Sequence, residues 1–368
     1  MRTAPRTERS LAGQAGYTLA ELMIAMGIMT VVMGLTMGGI ADVTKANDVV
    51  LQMAGMNNSL RGGMDLMVRD LLQVGSGLPT GHTVTVPHGA GAVTVRIPGP
   101  PGTAFTTAAT DTTLPAVIPG AGRGPVINGA ATDTLTVLMA DNTFLNVPIT
   151  AATSTSVTVP VGVNLAAGPD RVTPGQLMMI SKGSLTTLVQ VTAVNVATRI
   201  LTFASGDSLR LNQPAAASGN LAALNAAAPA NTPAAVNVTR VRMISYYLDA
   251  THDRNHPRLV RRINNGHQTA FNNTLGTAVA IDVENLQFSY DISNGTTNPG
   301  GVEMTLTDMG VAGACSPLAC GPTQVRKVNV AVTGRSRDSQ NKAARVLRNT
   351  LQSQVSLRGM AFVDRYRG

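Results

Sequence analysis

Three sets of residues in this 368-residue chain have types and spacings that invite chemistry. The first is the Gly16–Tyr17 peptide bond with Glu21 one helical turn downstream. A small residue that closes a charged stretch and opens an apolar one can mark a processing site, and cutting there frees an α-amino group on Tyr17 close to the Glu21 carboxylate. Glu21 is the one ionisable side chain between Tyr17 and Ala41. At that depth in lipid a carboxylate costs on the order of a few kcal/mol, so it calls for a cationic partner. The second set is His252-x-x-x-His256 among Asp249 and Asp253, a metal cluster on paper; without helical i, i+4 geometry, an ordinary polar turn is the stronger reading. The third is Ser339-x-x-Lys342, the spacing of an acyl-transfer nucleophile and its base. Its arginine-rich, polar surroundings would not depress the lysine by burial, and the companion motifs are missing.

The elements that must position the first set are readable. Residues 17–41 form an almost unbroken apolar run of 25 residues. At about 1.5 Å per residue this crosses a hydrocarbon core of roughly 30 Å with length to spare, so it is expected to be a transmembrane helix. The leader, residues 1–16, carries Arg2, Arg6 and Arg9 against Glu8, which places it on the cytoplasmic side by the positive-inside rule. A secretory signal has its small-residue cut site after the apolar run, whereas here Gly16 precedes it. Residues 42–75 continue the helix, with Val49, Met53, Met56, Leu60, Met64, Met67, Leu71 and Val74 on one stripe. Asp42, Lys45, Asp48, Arg61, Asp65, Arg69 and Asp70 are read as lying off that stripe, and the helix is expected to stop near Gly75-Ser-Gly77.

Gly16-Tyr-Thr-Leu-Ala-Glu21-Leu22 resembles, residue by residue, the N-terminus of the type IV pilin and pseudopilin family. There the leader ends in glycine and is followed by an aromatic residue, Thr-Leu-x-Glu and an apolar helix. Tyr17 stands where the family more often has phenylalanine. The resemblance implies cleavage after Gly16 by the prepilin peptidase, N-methylation of Tyr17 by the same enzyme, and an ion pair between Glu21 and the amino terminus of a neighbouring subunit. It also implies an inner-membrane precursor with a cytoplasmic N-terminus and a periplasmic head. Its partners would be an inner-membrane assembly platform and other minor and major pilins. In that oxidising compartment Cys315 and Cys320, the only cysteines, are expected to form a local disulfide rather than a metal pair.

The formal charge of +8 raises the question of nucleic acid. It is concentrated at the C-terminus, where residues 325–368 hold ten Lys and Arg against Asp338 and Asp364. Arg335, Arg337 and Arg345 are the candidate contacts to DNA or another anion. A solvated strand face is the favoured reading, because aromatics are 3% of the chain, Trp is absent, and little stacking surface exists for single strands. No motif implies a cofactor or a resident metal, and no constellation of acids or nucleophiles marks an enzyme.

Residues 76–368 are expected to form the head. Short strands are read at 82–86 and 92–97, followed by a Pro/Gly loop over 98–125; from 133 to 203, strands at about ten-residue intervals suggest an antiparallel meander. Residues 212–235, rich in Ala, Asn and Pro, are read as an exposed loop. Val236–Leu248 and Arg258–Ile263 read as a hairpin, followed by a strand region over 278–292. The order of a tyrosine-rich strand, Leu-x-Arg-Arg and Val283-Glu-Asn-Leu-Gln-Phe-Ser-Tyr290 is similar to large minor pilins of the PilW type and to J-type minor pseudopilins of type II secretion. The expected fold is thus α+β: a long N-terminal helix, half transmembrane and half amphipathic, packed on a large antiparallel β-rich head. The function that follows is a non-catalytic minor pilin, with two others beside it: a J-type pseudopilin, and a pilus-tip module for DNA uptake or adhesion.

Overall fold

The computed structural model describes residues 16–103, 105–226, 236–267, 276–311, 313–317, 319–336 and 346–360. It has the expected α+β class. One helix, α1 (Leu19–Leu71), is followed by antiparallel strands. The chain divides into two units, Met1–Ala54 and Gly55–Gly368.

In the first unit α1 is apolar and solvent-facing. Among its described residues every side chain through Ala54 is exposed except that of Gln52. The helix is long and apolar enough to cross a membrane. Thr30, Thr36 and Thr44 turn their hydroxyls back onto the carbonyls of Met26, Val32 and Ile40, satisfying themselves within the helix as a nonpolar solvent requires.

In the second unit the last turns of α1 bury Met56, Leu60, Met64, Met67 and Leu71. The expected stripe therefore becomes core only from Met56 onward, and Val49 and Met53 stay exposed. Two sheets receive this face. The larger holds β1 (Val117–Gly120), β2 (Thr134–Ala140), β3 (Leu177–Lys182), β4 (Leu185–Gln190), β5 (Val236–Asp249), β6 (Arg258–His267) and β7 (Thr277–Ile281). Its hub is β5: Val241 pairs with both β3 and β2, and Ile244 with both β2 and β6, so one edge of β5 meets β3 and then β6 in tandem. The second sheet runs β8 (Val283–Ile292), β9 (Val325–Arg335), β10 (Arg348–Ser356).

Packing explains the patterns. β2 is buried at every position because apolar clusters cover both faces of the large sheet: Leu135, Val137 and Met139 join the helix side, while Leu138 joins Val241, Met243 and Leu177 on the other. The second sheet is one-sided. Leu286, Phe288, Tyr290, Val328, Val330 and Val332 face the core, whereas Ser289, Asp291, Asn329 and Gln354 form a hydrogen-bonded polar layer. At Gly334 a Cβ would lie 2.9 Å from both methyl carbons of Leu60, so glycine lets helix and sheet approach.

Three stretches differ from the sequence reading. Within the expected 98–125 loop, β1 joins the large sheet by pairing with β2, and Phe105 is buried. Within 212–235, Leu221–Ala226 forms a short helix, α2, that buries Leu221 and Leu224. The Asn220 side chain accepts the Ala223 amide at its start. The strand region over 278–292 is broken at Asp282, whose φ of 58° turns the chain out of the large sheet and into the second.

Candidate functional site

The N-terminal motif is built as a helix start. Thr18 precedes the first helical residue, and Glu21 is the third residue within. The Glu21 amide donates to Thr18 Oγ1 at 3.2 Å, while the Thr18 amide and hydroxyl each donate to Glu21 Oε2 at 3.0 Å. These reciprocal bonds satisfy donors that every helix N-terminus leaves without partners. Gly16 and Tyr17 lie in front of the helix, exposed and outside regular structure. A cut between them leaves the Thr18–Glu21 pair whole, because both residues lie on the mature side. Glu21 Oε1 accepts no bond among the described residues.

Residues 11–37 match the family model described as the prokaryotic N-terminal methylation motif. This is a type IV pilin-like N-terminus. Proteins with this motif are structural subunits, and the motif implies processing by a prepilin peptidase and association with other pilins. The pilin-like motif and the apolar helix behind it fit a membrane-anchored subunit, and the motif supports a pilin or pseudopilin. The match ends at Met37, so the head lies outside it. No curated protein and no solved structure matches the chain.

The other sequence candidates lie in the head. Cys315 and Cys320 form a buried disulfide with an S–S distance of 2.07 Å. Backbone bonds from Cys320 N to Val311 O and from Gly310 N to Cys320 O hold its loop. His256 Nδ1 lies 2.7 Å from Asp282 Oδ1, whereas His252 lies 4.0 Å from Asp249, so the two histidines serve different acids. No metal-binding group of three or more His, Cys, Asp or Glu exists among the described residues. Arg335 stands opposite Arg348 in the β9–β10 register, and Arg348 pairs with Glu284. Arg337, Arg345 and Ser339-x-x-Lys342 lie outside the described residues. In the Gly120–Gly124 segment, the Gly122 amide points at the Asp133 carboxylate and the Arg123 guanidinium covers the Phe105 ring at 4.5 Å.

Sequence reasoning missed two charged clusters. Asp70, read as off the apolar stripe, is buried. It accepts two bonds from Arg261, at 2.6 and 3.0 Å, and one from the Tyr246 hydroxyl at 2.5 Å. Burial, reinforced by the Asp70 charge, pushes the Tyr246 phenol well above its ordinary range. Burial also works against the Arg261 charge, but the Asp70 bonds outweigh it and raise that group. The signal was present: Asp70 follows Met67 by three and precedes Val74 by four, which is stripe spacing. The second cluster joins Asp141, Arg240 and Arg242, where β2 ends beside β5. Nothing in the sequence links residues about a hundred positions apart.

Proposed function

We propose that this protein is a minor pilin-like structural subunit of a type IV pilus, closest to the PilW type. In this reading the precursor sits in the bacterial inner membrane with a cytoplasmic N-terminus and a periplasmic head. The prepilin peptidase cuts after Gly16 and methylates Tyr17. Glu21 then neutralises the amino terminus of a neighbouring subunit in the filament, where lipid and packed helices exclude water and strengthen the pair. The observation that carries the reading is the Gly16–Glu21 motif, set at the start of a helix whose apolar residues from Leu22 to Ile40 are all exposed in the single chain. Such a surface needs lipid before assembly and neighbouring helices after it.

The head suits a structural role. Tyr246 and Tyr290 are buried in one core with the last turns of α1, and Asp70, Tyr246 and Arg261 tie that helix to the large sheet. The disulfide between Cys315 and Cys320 closes a short surface loop, as suits an extracytoplasmic protein.

Mass spectrometry of the N-terminal peptide, from sheared surface filaments and in parallel from inner membranes, tests the proposal. A methylated Tyr17 terminus in the sheared fraction is expected. The same terminus confined to membranes would favour a secretion pseudopilin or an assembly primer. An intact leader in both fractions would overturn processing.

A further inference from the structure

We propose that the cleft at the Asp141 end of β2 binds a carboxylate carried on a small apolar body. The cleft has a volume of about 520 Å³ and is lined by Asp141, Arg171, Arg240, Arg242, Ile263 and Asn264, among others. This is the size range of small-molecule sites.

Charge balance carries the argument. Asp141 is buried, and both of its oxygens are engaged. Oδ2 accepts Arg240 Nε at 2.9 Å and Arg242 Nε and Nη2 at 3.1 and 2.7 Å; Oδ1 accepts the Thr143 amide and hydroxyl at 3.1 and 2.8 Å. Burial alone would raise this acid, yet the bonds from Thr143 and Arg242 and the Arg240 charge hold it below the usual carboxylate range. It is therefore a fixed anion with no capacity left for a ligand's proton. One negative charge answers two guanidiniums. Arg240, itself buried, spends its other nitrogens on the Arg171 and Pro169 carbonyls and on Thr143 Oγ1, which are dipoles and cancel no charge. Arg242 is 44% exposed at its side chain, and the exposed Arg171 also lines the cleft. Among the residues lining the cleft three arginines stand against one acid, two of them with their guanidiniums on Asp141, and an incoming anion would neutralise the excess.

The wall also has an apolar part. The 39% exposed Ile263 lines the same cleft. A bare inorganic anion has nothing to place there, whereas an acid with an aliphatic side chain covers Ile263 while its carboxylate meets the Arg242 and Arg171 forks. The carboxylate can belong to a free small acid or to the end of a polypeptide. The chemistry is shared.

Isothermal titration of the full-length protein in lipid nanodiscs tests this. The probes are N-acetyl-leucine, N-acetyl-leucinamide, inorganic phosphate and a short peptide ending in a free leucine carboxylate. Saturable one-to-one binding of N-acetyl-leucine is expected, with the amide weaker by about tenfold or more, as loss of a charged hydrogen-bond partner implies. Arg242→Gln and Arg171→Gln should each weaken the acid by a similar factor. The Arg171 carbonyl that anchors Arg240 is backbone, so that second variant keeps the loop even if the first disturbs Asp141. Tighter binding of the peptide supports the proposal with a chain terminus as the source, and equal affinity supports it with a free acid. Equal binding of acid and amide, no saturation by either carboxylate, tighter binding of phosphate, or indifference to both substitutions would overturn it.

Discussion

Residues 19–54 and 55–71 belong to one helix, yet their apolar side chains have opposite fates. In the first stretch Leu22, Ile24, Ile28, Val31, Leu35 and Ile40 are exposed, and in the second Leu60, Met67 and Leu71 are sealed from solvent. The first is apolar around its whole circumference and carries few charges, as suits a lipid solvent. The second is apolar on one stripe and carries Arg61, Asp65 and Arg69 on the exposed side, as suits a helix covering a core. Polar residues make the same point. Threonines in the first stretch bond to their own helix, while Asp70 in the second reaches across to Arg261 and Tyr246. One helix thus carries two kinds of surface, and the side chains within each turn decide which.

Alkaline titration should separate the two stretches most strongly. Burial raises the phenols of Tyr246, Tyr247 and Tyr290, the first and last further lifted by Asp70 and Asp133. A group whose folded pKa lies above its unfolded value of 10.0 gives stability that is complete below pH 10 and is lost as pH rises further. Three such groups give a loss of about 4 kcal/mol per pH unit in that window. Phenolate absorbance from these three tyrosines should therefore appear in one step with loss of head structure, while far-UV circular dichroism retains the helix of residues 19–54 in detergent. Gradual ionisation of these tyrosines in a folded head would refute the burial argument.

Asp70→Ala should cost about 3–5 kcal/mol, because it strands the buried Arg261 guanidinium and the Tyr246 hydroxyl. Urea unfolding of the full chain in detergent, followed by near-UV circular dichroism, measures it. Replacing Asp70 and Arg261 together by Leu and Met should recover most of the loss. Leu60→Ala should cost about 2–5 kcal/mol by the same assay. Leu35→Ala, on the exposed stretch, should leave head stability within about 0.5 kcal/mol. An equal effect of the two leucine substitutions would end the comparison between the stretches. Gly334→Ala should cost about 1–3 kcal/mol through the clash with Leu60, and pairing it with Leu60→Val should relieve part of that cost. The smallest effect belongs to the helix start. Thr18→Ala removes the side-chain half of the cap and should fray the first turn by about 1 kcal/mol, seen as faster amide exchange at Leu22.

Much of the architecture was legible because it is written in local period and composition. The apolar run, the stripe from Met56 to Val74 within the longer one read from Val49, the alternation of Leu286, Phe288 and Tyr290, and the hairpin from Val236 to Ile263 all follow from side-chain spacing; that Val49 and Met53 stay exposed does not. The short helix at Leu221 was hidden by an Ala- and Asn-rich context that signals loops. The break at Asp282 was hidden because a single residue at positive φ leaves no trace in a β-rich run.

By itself the sequence determined the processing motif, the membrane-length helix, the charge asymmetry and the α+β class, since each depends on neighbours within a few turns. Only the tertiary structure decided that Asp70 is buried and that β5 is the hub of the large sheet. It alone brought Asp141 to Arg240 and Arg242. The reason is physical: which charge is buried depends on what packs over it, and strand pairing joins residues whose distance along the chain carries no information about their distance in space.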